Sequence, residues 1–66
     1  MRLLVNGVER ELPDGSSVAD ALAALGAPTT GVAVAVDDDV VPRASWPAYR
    51  LRDGAVLEVL TAVQGG

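Results

Sequence analysis

The 66-residue chain contains no cysteine, no histidine, no lysine and no phenylalanine, and its aromatics are one Trp and one Tyr. Without Cys and His it has no disulfides, no thiol nucleophile, no imidazole for acid/base work and none of the usual zinc ligands. No apolar run approaches the roughly 18 residues a membrane-spanning helix needs. The opening Met1-Arg2-Leu3-Leu4-Val5-Asn6-Gly7 lacks the layout of a secretory signal, so a cytoplasmic location is expected. Basic charge is also scarce: five Arg face nine acidic residues, for a net charge of -4. A phosphate backbone or an anionic bilayer would be repelled, so neither nucleic acid nor membrane is an expected partner, and a protein with a basic surface fits better.

Half of the residues are apolar, mainly Val, Leu and Ala, which places the chain among globular domains. Its length lies near the lower limit for a single core without disulfides or metal. A pocket of roughly 300–1,000 Å3, typical of small-molecule sites, is more than so thin a core can frame alone. A carrier, a binding module or a subunit is therefore expected in preference to an enzyme. The absence of Lys has a chemical corollary: an activated acyl group would meet no side-chain amine or thiol on its own protein.

Leu3-Leu4-Val5 and residues 8–12 flank Asn6-Gly7, the pair best suited to the two positive φ values of a type I′ turn, and predict a β-hairpin. After the breaker Pro13-Asp14-Gly15-Ser16, Ser17 stands three residues before Asp20, as a capping box requires. Val18, Leu22 and Leu25, with Ala21 beside them, make one apolar helical face; Gly26 ends the helix and Pro28 prevents its resumption. Residues 28–31 read as a surface loop. Val32-Ala33-Val34-Ala35-Val36 predicts a strand away from the solvated edge, Asp37-Asp38-Asp39 a turn, and Val40-Val41 a strand that Pro42 confines to the edge. Residues 43–52, with Trp46 and Tyr49, form an irregular crossover, and Asp53-Gly54 turns into a last strand over 56–62.

The order β-β-α-β-β-β predicts an α+β domain in which one helix covers one face of a mixed sheet of four to five strands. The connection lengths favour the β-grasp (ubiquitin-like) arrangement, with first and last strands parallel at the centre. The expected division is a folded domain over residues 1–62 and a tail over 63–66. That tail, Val63-Gln64-Gly65-Gly66, follows the last strand directly. A carboxylate on Gly carries no Cβ and can enter a narrow channel, and Val63 to Gly66 extended would reach roughly 13 Å.

Three other features carry plainer expectations. The carboxylates of Asp37, Asp38 and Asp39 face solvent, and no metal site is expected there. Trp46 covers the core, and Arg43 makes a surface ion pair.

Residues 2–7, with Val5-Asn6-Gly7 leading into Glu11-Leu12-Pro13-Asp14-Gly15, begin a resemblance that runs along the whole chain. It continues through residues 31–36, Val40-Val41-Pro42-Arg43, Trp46, Leu51, Asp53-Gly54 and the closing Thr61-Ala62-Val63-Gln64-Gly65-Gly66. In order and spacing these segments resemble the ThiS family, the sulfur carriers of thiamin biosynthesis. Family members often have Asn-Gly or a similar polar pair where Asp37-Asp38 stands, and an acidic residue at the position of Ala55.

The resemblance implies that an E1-like adenylating enzyme, using ATP and Mg2+, activates the Gly66 carboxylate. A cysteine desulfurase or other persulfide donor then supplies sulfur, and the Gly66 thiocarboxylate delivers it to thiazole synthase. Val63, Gln64 and Gly65 would be read by these partners, and no cofactor would be bound by the carrier itself. On the last strand Val56, Leu60 and Ala62 share the face of Glu58, and Leu4 joins them if Leu3 and Val5 point inward. That face is the expected docking surface for the adenylating enzyme. Alternatives are a sulfur carrier of molybdopterin synthesis or another pathway, a ubiquitin-like covalent modifier, and a binding module whose terminus is idle.

Overall fold

The computed structural model describes residues 1–27 and 30–61. In chain order the elements are β1 (Arg2–Val5), β2 (Val8–Glu11), α1 (Val18–Leu25), β3 (Val32–Val36), β4 (Asp39–Val41), a 3-10 turn (Arg43–Ser45) and β5 (Val56–Thr61). The strands form a single five-stranded sheet in the order β2-β1-β5-β3-β4. β1 and β5 run parallel at its centre, and the other neighbours are antiparallel. This is the expected β-grasp arrangement, with β4 at the edge, where Pro42 removes no ladder bond.

Local chemistry accounts for the elements. Asn6 (φ 51) and Gly7 (φ 80) take the positive φ values that join β1 to β2. Asp37 (φ 49) and Asp38 (φ 74) do the same between β3 and β4. This second turn is two residues long, where three were expected: Asp39 already pairs with Val36 and opens β4. The reason is geometric, since positive φ at both central positions matches the right-handed twist of the flanking strands and leaves Asp39 free to pair.

The helix starts on a reciprocal capping box, with the Ser17 N–H donating to Asp20 Oδ2 at 3.0 Å and the Asp20 N–H to Ser17 Oγ at 3.1 Å. It ends with Gly26 left-handed, while the N–H groups of Gly26 and Ala27 return to the carbonyls of Ala23 and Leu22, a Schellman ending. The crossover satisfies further free donors at the helix start: Val18 N–H reaches Tyr49 O at 3.0 Å, and Ala19 N–H reaches Trp46 O at 3.2 Å.

Val18, Ala21 and Leu22 pack on the inner face of the sheet, where Leu3, Val5, Val34, Val36 and Leu57 are buried; Val41, Trp46, Leu51 and Ala55 close the core. Trp46 is buried and its Nε1–H donates to Val41 O at 2.9 Å, so its polar end is satisfied. Arg43 departs from expectation. No ion pair involves it among the described residues; its guanidinium lies 5.8 Å from the centre of the Trp46 ring. The 3-10 turn brings the two side chains together, and a ring face is the nearest electron-rich partner for a weakly hydrated guanidinium. Pro28, expected to stop the helix, lies outside the described residues, as does Ala62 at the expected end of β5.

Candidate functional site

The site builds on β5, the strand that leads toward the chain's end. On one side it pairs with β1 through Leu4↔Val56 and Val5↔Leu57; on the other it pairs with β3 from Val36↔Leu57 to Val32↔Thr61. The parallel ladder is short, and turn side chains extend it at both ends. The Asn6 amide acts as a surrogate peptide: its Nδ2 donates to Val59 O at 3.1 Å, and its Oδ1 accepts from Val59 N–H at 2.9 Å. Asp37 caps the start of β5, with Oδ1 accepting from Val56 N–H at 3.0 Å. Asp53 Oδ1 accepts from Arg2 N–H beside β1. β5 is thus held on both edges up to Val59, and by β3 as far as Thr61.

Because side chains alternate along each strand, the register assigns the outer face. With Leu3, Val5 and Leu57 buried inward, Leu4, Val56, Glu58 and Leu60 point out from the central pair, and Leu4 stands directly beside Val56. Leu4 is 40% exposed, Val56 41% and Leu60 62%. Ala33 and Ala35 lie opposite Leu60 and Glu58 on β3, and Val40, 75% exposed, lies opposite Ala35 on β4. The expected outward residues Leu4, Val56 and Leu60 are therefore brought together on one surface.

Ala62, Val63, Gln64, Gly65 and Gly66, also expected at the site, lie outside the described residues. Val40 was not foreseen as part of this face. Its place follows once the preceding turn is two residues, because the count then sets it opposite Ala35. The clamp by Asn6 was not foreseen either, since a turn asparagine has no sequence mark that distinguishes a free side chain from one bonded across the sheet.

Acidic groups border the apolar surface. Glu9 and Glu11 project from β2, with Arg2 3.6 Å from Glu9 in an exposed pair that contributes little. Among the described residues no group of three or more Asp and Glu side chains gathers as a metal-binding cluster. Asp37, one of three consecutive carboxylates, is engaged with the Val56 N–H. The described surface offers a flat apolar platform rather than a set of reacting side chains.

The sequence profile of the ThiS family matches residues 3–66. The crystal structure of a thiamine biosynthesis protein (ThiS) from Geobacter metallireducens superposes with a TM-score of 0.86 at 29% identity, covering all of both chains. A solution structure of a thiamine biosynthesis protein from the same organism gives 0.79 at 30% identity, covering all of this chain and 88% of that one. A thiazole synthase of Paramagnetospirillum magneticum is 33% identical over 66 residues. The chain spans 20% of the length of that protein. Matched by the family profile over almost its whole length and by these structures over all of it, the chain belongs to the ThiS family.

Proposed function

We propose that this chain is a sulfur carrier for thiazole formation in thiamin biosynthesis, acting as a co-substrate of partner enzymes rather than as an enzyme. The observation that carries the reading is the family match through residue 66, which includes the Gly65-Gly66 pair. In this reading residues 1–62 form the body that partners grip, and residues 63–66 form the tail that enters their active sites. The outer sheet face, with Leu4, Val56 and Leu60, docks the adenylating enzyme, and Ala62 is a further contact residue in this reading.

The chemistry begins at the Gly66 carboxylate, a poor electrophile. The adenylating enzyme, with ATP and Mg2+, couples it to AMP and releases pyrophosphate. The terminal sulfur of a persulfide, from a cysteine desulfurase or another donor, attacks the Gly66 carbonyl carbon, and AMP leaves with the C–O electron pair. A thiol reductant cleaves the resulting acyl disulfide at its S–S bond, leaving a thiocarboxylate on Gly66 and a disulfide on the donor side. Sulfur then passes to the substrate of thiazole synthase. The 33% identity to part of a thiazole synthase favours this destination over molybdopterin synthesis.

The protein ending at Gly66, incubated with an adenylating enzyme, ATP, Mg2+ and a persulfide donor, should gain the mass difference between sulfur and oxygen, localised to its C-terminal peptide. Removal of Gly66 should abolish the gain while circular dichroism stays unchanged. Isopeptide conjugates to larger proteins, with no such mass gain, would identify a covalent modifier and overturn the proposal.

A further inference from the structure

Glu58 occupies an unusual place in the outer face. It sits between Val56 and Leu60 on β5 and directly opposite Ala35 on β3, so its neighbours on these two strands are apolar. Toward β1 the ladder ends at Val5↔Leu57, where the chain turns at Asn6 and the Asn6 amide is taken by Val59. The ion pairs among the described residues are the Met1 ammonium with Asp14 and Arg2 with Glu9; neither involves Glu58. Nor does its carboxylate accept a hydrogen bond from any described residue.

In the free protein water solvates this carboxylate. A partner seated on Leu4, Val56 and Leu60 would strip that water away, and an ionised carboxylate buried without a partner opposes binding strongly. The covering surface must therefore bring a cation to Glu58. A guanidinium suits the position best, because it is weakly hydrated and can engage both carboxylate oxygens.

We propose that Glu58 is the specificity-determining contact of this face, pairing with an Arg or Lys that the adenylating enzyme presents from within an apolar surface. This rests on the carrier function and docking face proposed above. Charge complementarity argues for that occupant: the chain carries nine acidic and five basic residues, and on the same face Glu9 and Glu11 outnumber the one neighbouring cation, Arg2, which is paired with Glu9. The face also runs into Leu60 and Thr61, from which the tail must enter the enzyme's site.

The test measures binding to the adenylating enzyme by calorimetry, alongside loading by intact mass, for the wild type, Glu58→Gln and Leu60→Glu. Glu58→Gln keeps the shape and removes the charge, and it should weaken binding about thirtyfold or more. Its thermal unfolding should match the wild type, and its affinity should depend less on salt. If Glu58→Gln binds like the wild type while Leu60→Glu fails, the face is a docking site but Glu58 does not select the partner. If both variants bind like the wild type and are loaded, docking lies elsewhere and the proposal falls while the carrier function stands. A wild type that neither binds nor is loaded removes the carrier function and this proposal together.

Discussion

Asn6 serves two structures at once. Its backbone, at φ 51, makes the β1–β2 turn, and its side chain closes the ladder between β1 and β5 through both Val59 backbone groups. Ala at this position would lose both hydrogen bonds and meet the steric cost of the left-handed region, so Asn6→Ala should destabilise by about 2 kcal/mol or more. Asn6→Asp keeps the acceptor for Val59 N–H but loses the donor to Val59 O, and should cost about half as much. Urea unfolding of the two variants checks the order. The neighbouring acidic turn supplies the contrast. Asp38 carries no hydrogen bond among the described residues, and Asn tolerates its φ of 74, so Asp38→Asn should stay within about 0.5 kcal/mol of the wild type.

Among the elements, α1 is the one whose stability responds to pH through an identified group. The Asp20 carboxyl is held below its ordinary value near 3.8, first by the Ser17 backbone N–H and then by the Ser17 side chain, against an opposing desolvation, with the Arg50 charge a smaller favourable contribution. Because the folded value is the lower one, its contribution is present in full above about 3.8 and is lost as pH falls through the folded value. Urea midpoints compared between about pH 5 and about pH 2.5 should show the wild type losing more stability than Asp20→Asn, which cannot be protonated. Equal losses in the two proteins would remove the cap from the account of acid sensitivity. The helix was legible beforehand because each of its signals is local: Ser17 and Asp20 three apart, Val18, Leu22 and Leu25 on one face, and Gly26 at the end.

For the molecule as a whole, a 66-residue domain has a stability of only about 3–10 kcal/mol at the usual ~0.05–0.15 kcal/mol per residue. Leu57 is fully buried at the centre of the sheet, and replacing such a Leu by Ala costs about 2–5 kcal/mol. Leu57→Ala should therefore lower the thermal midpoint by about 10 °C or more, or leave the protein unfolded at ambient temperature, as circular dichroism would record. By itself the sequence determined the features that neighbouring residues settle: the first hairpin and its turn, the capped helix, and the shared face of Val56, Glu58 and Leu60; that Leu3 and Val5 point inward, which puts Leu4 on that face, was a condition that the burial of both residues met. The parallel centre was reached only as the arrangement that connection lengths favour, since no local pattern states which strands pair. Tertiary structure alone decided that Asn6 clamps Val59, that Arg43 covers Trp46 and joins no ion pair among the described residues, and that Val40 shares a face with Glu58, which is unpaired among the described residues. Those relations join strands far apart in the chain or depend on a turn's length to a single residue, and hydrophobic periodicity, which repeats within a strand or helix, carries no information about either.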